Sequence, residues 1–143
     1  MLARVAFDNG WVPAILGKVY IPQWNISGIV RFLIDTGSEG VMIGPSDVVN
    51  LRIPYHRLPY TAGPQGIGSH PSNVYPVKAE LLFADLTTDY FYDITIDISD
   101  PRQANPRNPS ILGRKVLNCW RILYDHPNNV LDIEPSQYDR KVP

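Results

Sequence analysis

The stretch Phe32-Leu33-Ile34-Asp35-Thr36-Gly37-Ser38 ends an apolar run in a single carboxylate and follows it at once with a Thr-Gly turn. An acid in that position sits at the mouth of a buried strand, where desolvation and a neighbouring charge can move its pKa strongly. The chain has no second Asp-Thr-Gly and no Asp-Ser-Gly. Chemistry that needs two carboxylates must therefore take the second from another copy of the same chain.

Around this stretch the hydrophobic pattern has a period of two. Val77, Ala79, Leu81 and Phe83 alternate with Lys78, Glu80 and Leu82, a half-buried strand with one mismatch at Leu82. Ile94, Ile96 and Ile98 point one way and Asp93, Thr95 and Asp97 the other, which leaves those acids on a solvent face. Residues 14–21 and 28–34 read as strands joined by the turn Pro22-Gln23-Trp24-Asn25. Residues 121–124 and 130–133 flank Asp125-His126-Pro127-Asn128-Asn129 and predict a hairpin. Helical signals are few: Ser46-Asp47 can cap a short turn through Asn50, and residues 113–120 are the best helix candidate. Two Pro- and Gly-rich segments, 61–72 and 100–110, read as loops, the second as a surface excursion.

The composition fits this β-rich reading. Fourteen prolines among 143 residues is about twice the usual share of roughly 5%, which disfavours long helices. The length suits one domain, 1–143, with a modest core, and 44% hydrophobic and 19% charged residues are ordinary for a globular protein. A net charge of −1 without a basic stretch gives no nucleic-acid footprint. The single cysteine, Cys119, excludes an intrachain disulfide and reads as a small core hydrophobe. The N-terminal sixteen residues, interrupted by Asp8, Asn9, Gly10 and Pro13, make a poor signal peptide. The most apolar window, 26–34, carries Arg31 and is far shorter than the ~20 residues of a spanning helix. The expectation is a soluble, cytoplasmic protein with no membrane partner.

Other chemistry is poorly supported. Thr36-Gly37-Ser38-Glu39-Gly40 narrowly misses the nucleophile elbow of α/β hydrolases, which needs a strand–turn–helix in a large mixed sheet. His56, His70 and His126 lack metal-ligand spacing. Asn25-Ile26-Ser27 matches a glycosylation sequon but means little without secretion.

The apolar run into Asp35-Thr36-Gly37-Ser38, together with the distant Ser110-Ile111-Leu112-Gly113-Arg114, forms a joint signature. In it the chain resembles the retropepsin-like aspartic peptidases, single-domain relatives of pepsin, over residues 12–134. The likeness is to the small free-standing bacterial type, in which Ile-Leu-Gly-Arg leads into a helix and a C-terminal hairpin. It implies an all-β half-barrel with one short C-terminal helix and an active site at a homodimer interface. It also implies hydrolysis of polypeptide substrates without cofactor or metal. Asp35 would be the catalytic aspartate, and Thr36 would hydrogen-bond across the twofold axis. Gly37 would let backbone approach the substrate, and Ser38 would donate to the outer oxygen of Asp35. Gly66, Ile67 and Gly68 would form the tip of a substrate-binding flap, with Ile111-Leu112-Gly113 running beneath the active-site loop. Arg114 would pair with an acid after that loop, for which Glu39 is the candidate.

The chain departs from the family pattern in three places: Ser69-His70-Pro71 follows the flap tip, Glu39 stands where Asp is common, and the 100–110 loop is long. Alternatives stay open on the sequence. Asp35 can also be read as a structural acid capping a turn, and Ile67 reads equally as an apolar residue in a loop. The fold itself can serve as a dimerisation or peptide-binding module with little turnover. Release from a larger retroelement polyprotein is a further possibility, against which Met1 reads as a native start.

Overall fold

A computed structural model describes residues 1–62 and 73–143. Its period-two segments are strands, longer than the sequence pattern marked them. They are β2 (Val12–Ile21), β3 (Ile26–Ile34), β6 (Asn73–Ala84) and β7 (Asp89–Ser99). Between β2 and β3 the turn at Pro22–Trp24 is a single 3-10 turn, closed by Asn25 in the left-handed region at φ 52°. Asparagine tolerates that conformation better than most residues.

Three short strands carry no clean alternation and escape a sequence reading: β1 (Val5–Asp8), β4 (Val41–Ile43) and β11 (Arg140–Val142). With β5 (Thr61–Ala62) and β8 (Ser110–Leu112) they complete a sheet of order β1-β2-β3-β8-β4-β7-β6-β5, in which β11 also pairs with β7. A second pairing, β2 with β6 through Val19↔Leu81, folds the sheet back on itself. Its inner face holds the core, where Phe32, Phe83, Ile15, Leu81, Ile96 and Leu112 are fully buried. Trp120 meets Phe83 edge-on at 5.0 Å.

The two helical segments correct the sequence reading in detail. Helix α1 spans Pro45–Asn50, with Gly44 at its cap position and Pro45 in its first turn. Proline pre-sets the helical φ there, so Ser46 lies inside the helix rather than capping it. Helix α2 is only Arg114–Leu117. The chain turns extended at Trp120 because that side chain is buried and its indole N–H donates to the Tyr92 hydroxyl at 2.7 Å. From Trp120 the predicted hairpin follows as β9 (Trp120–Asp125) and β10 (Val130–Pro135), a separate two-stranded sheet. Among the described residues no helix is long and apolar enough to cross a membrane.

Candidate active site

Strand β3 buries Phe32 and Ile34 and delivers Asp35 at its end, half-buried, with Thr36 and Gly37 exposed beyond it. Strand β8 runs parallel beside it in the register Phe32↔Ser110 and Ile34↔Leu112. The Asp35 amide continues that ladder, donating to the Leu112 carbonyl at 3.1 Å. The residues 111–113 thus pass under the loop, as the sequence resemblance implied.

Within the loop, each carboxylate oxygen of Asp35 has one donor from its own turn. The Gly37 amide donates to Oδ1 at 2.9 Å and the Ser38 hydroxyl to Oδ2 at 2.8 Å. The Ser38 amide closes the turn on the Asp35 carbonyl at 3.2 Å. These two donors fix the orientation of the carboxylate.

The loop is clamped from below by the start of α2. Amides of Arg114 and Lys115 donate to the carbonyls of Ser38 and Glu39, both at 2.8 Å. This approach requires glycine at position 113: a Cβ there would lie 2.2 Å from the Gly40 carbonyl oxygen and 2.6 Å from that of Ser38. Arg114 does not pair with Glu39. Its Nη1 donates instead to the Thr36 carbonyl at 2.9 Å. The physical reason is that the Glu39 backbone faces α2, which leaves its side chain exposed to solvent. No ion pair joins Glu39 and Arg114 among the described residues. The sequence motif marked the arginine but not its acceptor.

The structure brings Asp35, Thr36, Gly37, Ser38 and Arg114 together, and places Glu39 beside them facing outward. Gly66, Ile67 and Gly68 lie outside the described residues. The strands that lead to and from them, β5 and β6, pair as Thr61↔Val74 and Ala62↔Asn73. No three His, Cys, Asp or Glu side chains converge as a metal would require, among the described residues.

Tyr92 and Asp97 on β7 and Asp100 just after it are perturbed. Burial raises the Tyr92 hydroxyl to about 12. Burial also raises Asp97, against a partial lowering by Lys115. A hydrogen-bonded guanidinium, Arg102, holds Asp100 below the usual carboxylate range in spite of burial. Asp100 opens the 100–110 segment and was invisible to the pattern, although the spacing Asp100-Pro101-Arg102 places an arginine two residues from an acid at a strand end.

The self-closing sheet, the Asp-Thr-Gly loop at the end of β3 and the strand–glycine–helix element beneath it define an all-β, retropepsin-like fold. The likeness can be made particular. The chain is similar to a retropepsin-like aspartic protease from Rickettsia conorii, with a TM-score of 0.57 at 16% identity, over 89% of this chain and 85% of that one. It also overlaps EIAV protease complexed with the inhibitor HBY-793, with a TM-score of 0.42 at 17% identity, over 75% of this chain and 86% of that one. No protein-family model and no curated protein matches the sequence.

Proposed function

We propose that this protein is an aspartic endopeptidase that hydrolyses polypeptides as a homodimer, each subunit supplying one Asp35. The observation that carries this reading is the posture of Asp35. It stands half-buried at the end of a core strand, fixed by Gly37 and Ser38, in a loop whose next two residues are exposed. The retropepsin-like fold of the Rickettsia enzyme supports it.

The chemistry then follows from electrostatics. Two carboxylates about 3 Å apart cannot both ionise, so they share one proton, as in aspartic proteases generally. The ionised member takes a proton from a water held between them, and the oxygen of that water attacks the scissile carbonyl carbon. The protonated member donates to the carbonyl oxygen. Collapse of the resulting diol breaks the C–N bond, with the amine leaving protonated. The pair titrates as a unit. Thr36 would bond across the twofold axis, and Gly66, Ile67 and Gly68 would cover the bound peptide.

Cleavage of a mixed peptide library by the purified protein tests the reading, with pepstatin as inhibitor. Pepstatin-sensitive cleavage that is lost in Asp35→Asn supports it, whereas a folded Asp35→Asn protein that still cleaves ends it. Peptide binding with no cleavage by the native protein replaces it with a binding module. A half-site per monomer also requires specific activity to fall on dilution toward the dimer dissociation constant. Activity linear in concentration through that range contradicts a shared site.

A further inference from the structure

The segment that leaves β7 at Asp100 folds back onto the start of β6. The Asp100 carboxylate has no solvent exposure and is met by four donors. The Arg102 amide and Nε reach Oδ1 at 2.9 and 3.1 Å, and Arg102 Nη2 and the Tyr75 hydroxyl reach Oδ2 at 2.9 and 3.1 Å. The Arg102 guanidinium lies 5.5 Å over the Tyr55 ring. One residue on, Gln103 Oε1 accepts the Asn73 amide at 2.8 Å, where β6 begins. Tyr75, on that same strand, also meets the rings of Tyr55 at 5.3 Å and Tyr60 at 6.2 Å, in the segment leading to β5. The far end of the segment is tied to α1, where Ser110 Oγ donates to Asp47 Oδ2 at 2.6 Å.

A buried carboxylate is an expensive way to fill space, because desolvating it costs more than burying an apolar side chain of equal volume. Its return is direction: a forked guanidinium and a phenol fix the angle between the elements that carry them. Here those elements are the 100–110 segment and the start of β6, against whose Tyr75 the segment leading to β5 packs.

We propose that Tyr75, Asp100, Arg102 and Gln103 are positioning residues that lock the start of β6 to the 100–110 segment and so hold that strand in place for peptide binding. The consequence for peptide rests on the protease reading above; the lock itself does not. The guanidinium keeps Asp100 ionised in mild acid, the range in which a shared-proton carboxylate pair works, so the lock and the chemistry operate under the same conditions.

Two measurements on Tyr75→Phe, which keeps the ring and removes one donor, test the proposal. The first is hydrogen exchange in the free protein at the Asn73 amide, to which Tyr75 makes no hydrogen bond of its own. Exchange there is expected to quicken by about tenfold, with the core amide of Ile96 unchanged. Exchange at Asn73 equal to the native rate overturns the lock, and so does equal quickening at Ile96, which would be general destabilisation. The second is steady-state cleavage of a library peptide: KM rises by about three- to tenfold with kcat within roughly twofold. An active variant with quickened exchange and native KM overturns the positioning role. A native protein that cleaves no peptide overturns the protease reading instead, and the exchange result then decides the lock alone. Gln103→Ala, at an exposed position, repeats the kinetic arm without touching the core and is expected to raise KM in the same direction.

Discussion

Strands β3 and β7 are each followed at once by an aspartate, and the two acids are treated oppositely. Asp35 is half-buried and accepts from two donors, both in its own turn. Asp100 is fully buried and accepts from four, one of them the hydroxyl of Tyr75 on another strand. An ionised carboxylate has about four acceptor sites. Asp100 therefore has none left for a substrate, water or second carboxylate, and its work is structural. Asp35 keeps roughly half of its acceptor capacity and faces an exposed loop. The difference separates an acid that holds the molecule from one left free to react.

The sharpest way to break this contrast is to replace each acid in turn. Asp35→Asn is expected to lower peptide cleavage by about 10³-fold or more, the upper range for losing a group that both accepts and donates protons. Its thermal stability should shift by only about 0.5 kcal/mol, because Gly37 and Ser38 can still bond the amide. Large destabilisation by this substitution, read in a melting curve, would put Asp35 in the same category as Asp100.

Next in size comes the floor beneath Asp35. Gly113→Ala drives a methyl against the backbone carbonyls of Gly40 and Ser38, atoms that cannot rotate away as a side chain would. A loss of about 3 kcal/mol is expected, at the high end for overpacking, with activity falling as the loop shifts. A variant with native stability and activity would show that the loop is not seated on α2.

The same contrast explains what could be read in advance. The seat of Asp35 at a strand end was legible because it is local: an apolar run, an acid and a turn stand together in the chain. The long strands were legible for the same reason, since a period of two is written into neighbouring residues. Asp100 was illegible because its partner Tyr75 lies 25 positions away on a strand whose outline predicts nothing about a hydroxyl. Arg114 bonds the Thr36 carbonyl and not the expected Glu39, because sequence marks the donor while the backbone path selects the acceptor. The short strands β1, β4 and β11 exist only through their neighbours in the sheet.

Asp100→Asn sharpens the structural half of the comparison. Losing a charge-assisted bond to Arg102 inside the protein is expected to cost about 2 kcal/mol at neutral pH. The pH dependence has a definite sign. The folded-state carboxyl is held below its ordinary value, so the stabilisation is present above the unfolded pKa of about 3.9 and is lost as pH falls through the lower folded value. Denaturant unfolding should therefore separate the two proteins widely at neutral pH and less and less in acid beneath that range. A gap that widened in acid would reverse the assignment.

The smallest effect belongs to an acid that sits between the two extremes. Sequence alternation put Asp97 on the solvent face with Asp93. Asp93 is exposed, but Asp97 is half-buried where β4 pairs across it at Met42. Its Oδ2 lies 3.9 Å from the point a Cβ on Gly40 would occupy, which places it beside the end of the Asp35 loop. Burial raises its carboxyl, and Lys115 offsets only part of that. A raised folded-state value means that the neutral form is favoured by folding. The benefit is present below the unfolded pKa and is lost as pH rises through the folded one, leaving a penalty at neutral pH. Asp97→Asn removes the penalty without changing the shape of the side chain. It should raise the melting temperature at pH 7, by an amount equivalent to less than about 1 kcal/mol because the group remains partly in water, and leave it unchanged in acid where both side chains are neutral. Stabilisation in acid of the same size as at neutral pH would mean that packing, and not the charge beside the loop, sets the difference.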